Sequence, residues 1–267
     1  MAKSTRGGKA GSSSFTTIPT FAAAQPVAQP TPQPIPQPVV QPPTQPVISA
    51  DFDAFKKMTD DQKADAITQA AKTPVPVFLA QSDLQKILYG LKLNDKPTLV
   101  DDSVLDAMPG KDLFRAVNAT NNPQYRMKFS ATDIAQQTIR GSVTRVSDTG
   151  GSVHGRGIYF ADSYQGITPY GRTSGNINQT AVVRAKLSPT AKTISTIAAA
   201  SGVSAEITSG SKLGRALTQI GSKDRTAVWA LAKGYDAMVA SNGYHVVINR
   251  SALVASKTIN AMGQSWK

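Results

Sequence analysis

The chain has no cysteine, two histidines (His154 and His245) and a single glutamate, Glu206, in 267 residues. Without cysteine there are no disulfides, no thiolate metal ligands and no thiol nucleophile, and the redox compartment stays open. Two histidines are too few for a multi-histidine metal centre, so no metal is expected. No stretch approaches the roughly 18 apolar residues of a membrane-spanning helix. Lys3, Arg6 and Lys9 lead into glycine and serine rather than an apolar h-region, so no cleaved signal peptide is expected either. Aromatic residues make up only 6% of the chain.

Basic charge is what the chain has in excess. The net charge is +12 and the pI about 9.9. This favours anionic partners such as nucleic acid, phosphorylated ligands or an acidic surface; the alternative is charge spread evenly for solubility. No membrane partner is indicated.

Three regions follow from composition. Residues 1–22 are small, polar and basic, without an acidic residue. A Gln-Pro pair then recurs every four residues from Gln25-Pro26 to Gln45-Pro46. Proline fixes φ and removes a backbone donor, so helix and sheet are both excluded there. The expected state is a disordered arm of extended polyproline II character, rising about 3.1 Å per residue. Residues 1–50 thus read as a basic tip on a semi-rigid spacer. The tip can dock on an acidic surface or nucleic acid, with the spacer setting the reach. A Pro-x-x-Pro ligand is the other reading, but the repeat generates that spacing automatically.

Residues 51–109 read as a helical lead. Phe52, Phe55, Met58, Ala66, Ile67 and Ala70 predict one amphipathic helix from Asp51 to Lys72. Ser82 is a plausible N-cap for a helix through Leu84, Ile87, Leu88 and Leu91, and Asp101 to Met108 for a third short one. From 110 to 267 the texture turns to short strands and glycine-rich turns. Strands are expected at Leu113–Val117, Gly157–Ala161, Thr180–Leu187, Ala237–Ala240 and Tyr244–Asn249. Helices are expected at Ala131–Thr138, Leu213–Ile220 and Arg225–Lys233. Ser251–Ala255 reads as a turn or short helix, and Glu206 as lying in a loop. Helices first and mixed strands after them indicate an α+β class.

Three segments carry chemistry. Leu113-Phe114-Arg115-Ala116 places an arginine on a strand. Gly155-Arg156-Gly157-Ile158-Tyr159-Phe160-Ala161-Asp162-Ser163 enters a strand through a Gly-x-Gly turn, with Tyr170 eleven residues beyond Tyr159. Lys233-Gly234-Tyr235-Asp236-Ala237-Met238-Val239 is followed by Tyr244-His245-Val246-Val247-Ile248-Asn249-Arg250-Ser251. In this order the three resemble the core of the ADP-ribosyltransferases, the fold shared by diphtheria toxin and the poly(ADP-ribose) polymerases, and of phage-encoded transferase domains in particular.

The resemblance implies a split β-sheet core, NAD+ as the cofactor-like substrate, and glycosyltransferase chemistry that moves ADP-ribose to a protein or nucleic-acid acceptor. It implies that Arg115 contacts the ribose or phosphates through its planar fork. The Ala116 backbone would bond the carboxamide, where the family often has glycine. Gly157 would permit close approach of the ligand, and Tyr159 and Tyr170 would sandwich the nicotinamide ring. A small hydroxyl residue is usual three before the second tyrosine. Ile167 stands there, with Thr168 beside it as a substitute.

The family's glutamate, which orients the ribose and stabilises an oxocarbenium-like transition state, has Tyr244 in its place; a one-residue shift puts Gly243 there. Asp236, Glu206 and His245 are the candidate replacements. Each has a plainer role open to it: Asp236 bonding near a turn, Glu206 as a surface acid, His245 on the outer face of its strand. His154 reads as exposed. A phage or prophage origin follows from the resemblance, with action in the host cytoplasm or in the virion. The alternative is a catalytically degenerate fold used as a virion structural or interaction protein.

Overall fold

A computed structural model describes residues 52–75, 82–93, 96–118, 120–122, 127–140, 157–172 and 180–264. All of these fall in one compact unit, Pro46–Lys267. The basic tip and Gln-Pro arm, His154 and Gly155 lie outside the described residues.

The expected first helix is two. α1 (Phe52–Lys57) stops and α2 (Asp60–Lys72) restarts, because Thr59 and Gln62 form a reciprocal capping box. α3 (Asp83–Gly90) starts at Ser82, whose hydroxyl accepts from the Gln85 amide. α4 (Asp102–Ala107) follows a short strand, β1 (Thr98–Val100). Then come β2 (Leu113–Asn118), the hairpin β3 (Thr120–Asn122) and β4 (Met127–Phe129), α5 (Ala131–Arg140), β5 (Ile158–Ala161) and α6 (Tyr164–Arg172). The rest is β6 (Thr180–Leu187), β7 (Thr193–Ser195), α7 (Thr196–Thr208), α8 (Lys212–Thr218), α9 (Ser222–Ala232), β8 (Ala237–Val239), β9 (Tyr244–Val247), β10 (Leu253–Ser256) and β11 (Asn260–Ala261). The chain is therefore α+β. Where a turn or short helix was expected at Ser251–Ala255, a 3-10 turn (Arg250–Ala252) leads into β10. Asn249 caps this turn by accepting from the Ser251 amide and hydroxyl.

Among the described residues a mixed sheet runs in the order β1-β10-β6-β2-β5-β9-β8-β7, with β11 added to β6. Within it β2 and β6 are registered from Leu113↔Ala185 to Asn118↔Thr180, and β5 and β9 from Ile158↔Val247 to Ala161↔Tyr244. Between β2 and β5 the only registered pair is Phe114↔Ala161. The sheet is nearly parted there, and past Phe114 the two strands run on unregistered with each other.

Helices cover the sheet on both faces. Phe55, Ile67 and Ile87 of the lead share one buried core with Leu213, Leu217, Leu231, Met238 and Val246. The lead thus belongs to the core of the residues that follow it. Leu113, Val117, Phe160 and Val183 bury against Ala135 and Ile139 of α5. Ala161, Val182 and Phe114 meet Ile167 of α6 in a third cluster. α7 was missed in the sequence because its small residues show no apolar stripe. Gly202 explains its placement: a Cβ there would fall 2.2 Å from the Trp229 ring, so only glycine lets α7 approach α9 so closely.

Candidate functional site

The parting between β2 and β5 places two of the three sequence segments face to face. Arg115 follows the last registered residue of β2, and its Nη1 donates to the Tyr159 carbonyl at 3.2 Å. Ala116 comes next on β2, paired on its other side with Val182 of β6. Gly157 enters β5 at φ +152°, and a Cβ there would lie 2.6 Å from Val246 Cγ1. Any side chain would force β5 away from β9, so glycine is required for this close packing.

Strand alternation sends Tyr159 and Ala161 to the face that carries α6, and Phe160 to the other. Tyr159 is half-buried against the helical core. Tyr170, on α6, is 48% exposed. Its carbonyl accepts from Asn118 Nδ2 at 2.7 Å, and Asn118 accepts from Thr180. Together these bonds pin the end of α6 to β2 and β6. Thr168 does not present its hydroxyl outward: it donates to the Tyr164 carbonyl one turn back. Ile167 is buried in the α6 contact.

Tyr244 opens β9 opposite Ala161 and meets the Tyr170 ring edge-on at 6.2 Å between centroids. Its hydroxyl donates to the Gly166 carbonyl at 2.8 Å. Burial, with the neighbouring Tyr170 hydroxyl as a second cause, pushes the Tyr244 phenol up to about 12. It is an uncharged donor at neutral pH.

The candidate replacement carboxylates are not brought to this cleft. Asp236 is 2% exposed and sits beside Ile248 and Asn249, past the far end of β9. That is about four residues, roughly 13 Å, along the strand from Tyr244. Its carboxylate accepts from Lys56 Nζ at 2.7 Å, Asn249 Nδ2 at 2.7 Å and the Lys192 amide at 2.8 Å. These bonds tie α1, β8 and the segment entering β7 together, a structural role. Glu206 is on α7 rather than in a loop. It accepts from Ser211 Oγ at 2.6 Å and pairs with Lys233 at 3.0 Å. Burial works against its charge, but the bonds from Ser211 and Lys233 outweigh this and hold the carboxyl below its usual range.

A carboxylate that sequence reasoning passed over does reach this end of β9. Asp162, inside the glycine-tyrosine motif, packs over Gly243: a Cβ on Gly243 would lie 2.5 Å from its Oδ1. Lys111 reaches Asp162 at 3.5 Å. By alternation Asp162 and His245 share the face away from Tyr244. The motif itself was the signal, since Asp162 follows directly on the strand whose tyrosine it names. No group of His, Asp or Glu able to hold a metal occurs among the described residues, and none of their helices is long and apolar enough to cross a membrane.

No protein-family model matches the chain, and no curated protein or solved structure matches it either. The arrangement must be read from its own chemistry.

Burial lowers the pKa of His245; the Asp162 charge opposes this and the Lys111 charge adds to it. As pH falls through the unfolded value near 6.5, the unfolded ring therefore takes up its proton before the folded one. The stability this ring contributes is fully present above that pH and is lost as pH falls toward the folded value. Thermal unfolding followed from about pH 7.5 to 5.5 should show the midpoint falling in the wild type and falling less in His245→Gln. His154 is common to both proteins and drops out of the difference. Equal slopes would refute the assignment.

Proposed function

We propose that this is an ADP-ribosyltransferase-like protein that takes NAD+ at the parting between β2 and β5 and transfers ADP-ribose to a host macromolecule, in a phage setting. The observation that carries the reading is the parted sheet. Ala116 stands on one lip and Gly157 and Tyr159 on the other; Arg115, whose side chain alternates to the face of Phe160, reaches across to the Tyr159 carbonyl, and Asn118 ties the Tyr170 carbonyl to the end of β2. Tyrosine faces suit a flat cationic ring, and an arginine fork suits pyrophosphate oxygens. The net charge of +12 favours both the dinucleotide and an acidic acceptor.

A second reading has its own observation. The hydroxyl at the glutamate's place is neutral and already bonded to Gly166. A fold retaining nucleotide binding without turnover would serve as an interaction or virion component.

Calorimetric titration with NAD+, together with release of labelled nicotinamide, separates the two. Wild type is expected to bind and to release nicotinamide slowly. Tyr170→Ala, on an exposed position, should weaken binding about tenfold, the loss of one ring contact of about 1.4 kcal/mol. Binding with no release at all selects the second reading. No binding by the wild type overturns the enzyme and leaves the degenerate fold as a structural or interaction protein.

A further inference from the structure

A cavity of about 390 Å³ opens on the face of the sheet away from Tyr244, where β2 begins and β6 and β8 end. Leu113, Leu187, Pro189 and Val239 make apolar walls, and Lys111 and His245 bring polar groups to it. Its size is at the low end for small-molecule sites, and apolar walls with few convergent polar groups are the usual makeup of one.

We propose that this cavity binds a small organic monoanion, an apolar body carrying one carboxylate. Ser188 and Thr193 also line the cavity, with Ser188 Oγ already shared with Thr190, so the head group is set by His245 and Lys111, which bring the ring donor and the cation. His245 Nδ1 is closed off from water and has no hydrogen-bond partner among the described residues, so a proton there would be left unsatisfied. The neutral ring therefore keeps its proton on Nε2, where it can be satisfied. The cavity is thus offered an N–H donor. Lys111 adds a cation whose side chain is 78% exposed and whose link to Asp162, at 3.5 Å, is long. It can turn to a ligand at little cost, since exposed pairs of this kind contribute little.

Asp162 limits the charge that fits. It and Lys111 are the charged groups that act on His245, and β8 supplies only Val239 to the cavity here. One ammonium and one N–H beside a fixed carboxylate suit a monoanion better than a phosphate dianion. The apolar walls then take the body of the ligand, which excludes an inorganic anion as the preferred occupant.

The test uses the full chain and three probes with the same aliphatic body: hexanoate, hexanol and hexylamine. With only two histidines, an NMR spectrum holds two imidazole Cε1–H signals, one per ring, and His245→Gln assigns them. Hexanoate is expected to shift the His245 signal saturably and raise the pKa of that ring, because the carboxylate favours the imidazolium. Lys111→Ala, at an exposed position, should weaken hexanoate about tenfold, as for loss of one charge-assisted bond. Hexanol should bind more weakly and hexylamine not at all. Absence of a saturable His245 shift with hexanoate overturns the proposal. So does equal binding of the three probes, or hexanoate affinity unchanged in Lys111→Ala.

Discussion

Replacing Tyr244 with glutamate is expected to raise nicotinamide release from NAD+ by about 10² to 10³-fold, the usual worth of one preorganised charged group at a developing charge. Cleavage of the nicotinamide–ribose bond leaves positive charge on the ribose. A phenol held at about 12 cannot answer it with a negative charge. The position is suited to the change. Tyr244 opens β9 beside Ala161 of β5, on the face that carries Tyr159 and faces Tyr170.

Register is the natural objection, and the backbone settles which residue of the two can carry a side chain. Gly243 lies at φ +83°, and a Cβ there would meet Asp162 Oδ1 at 2.5 Å. Residue 243 cannot hold a glutamate without displacing Asp162, so Tyr244 is the position to change. The substitution forfeits the bond to the Gly166 carbonyl and sets a carboxylate near that oxygen. Tyr244→Gln suffers the same loss of packing without the charge, and it is the proper reference. The rate of the glutamate variant over the glutamine variant, per folded molecule, is the quantity to measure. A ratio near one, with NAD+ binding intact in both, would sink the reading of β9 as the strand that bears the catalytic acid.

How far the sequence revealed the site depended on whether a residue's partners were near in the chain. Ser82 as a cap and a strand over Thr180–Leu187 are local signals, and the structure has both, the strand buried on both faces along nearly its whole length. β5 and β9 were legible from apolar runs bounded by glycine. The strands β1, β7 and β11 were not, since two or three residues become a strand only by meeting a partner. α6 carries Gly166 and Pro169 and gave no helical signal, although Tyr170 within it was picked out by its spacing.

The acids show the same limit more sharply. A carboxylate next to a turn reads alike whether it is catalytic or structural. What decides for Asp236 is Lys56, 180 residues away in the chain. For Glu206 it is Lys233, just past the end of α9. The pairing of the helical lead with α8 and α9 is equally remote in sequence, and it determines which acids are already engaged.

Asp236→Ala is accordingly expected to destabilise the fold by about 3–5 kcal/mol, the range for removing one partner of a buried ion pair. The loss is threefold. Lys56 is left without the carboxylate it holds at 2.7 Å, the Lys192 amide loses an acceptor on the way into β7, and Asn249 loses the bond that steadies the turn before β10. Urea denaturation gives the free energy, and Asp236→Asn isolates the charge, because it keeps shape and one acceptor. It should cost less than alanine, and no more than Lys56→Ala, which leaves the Asp236 carboxylate, only 2% exposed, without its cation. The same variants also test the chemistry. Since Asp236 lies at the far end of β9 from Tyr244, nicotinamide release per folded molecule should be unchanged in Asp236→Asn. A drop in that rate with little loss of stability would move Asp236 into the catalytic machinery, and the β2–β5 parting would then have to reach it by a rearrangement of β8 and β9.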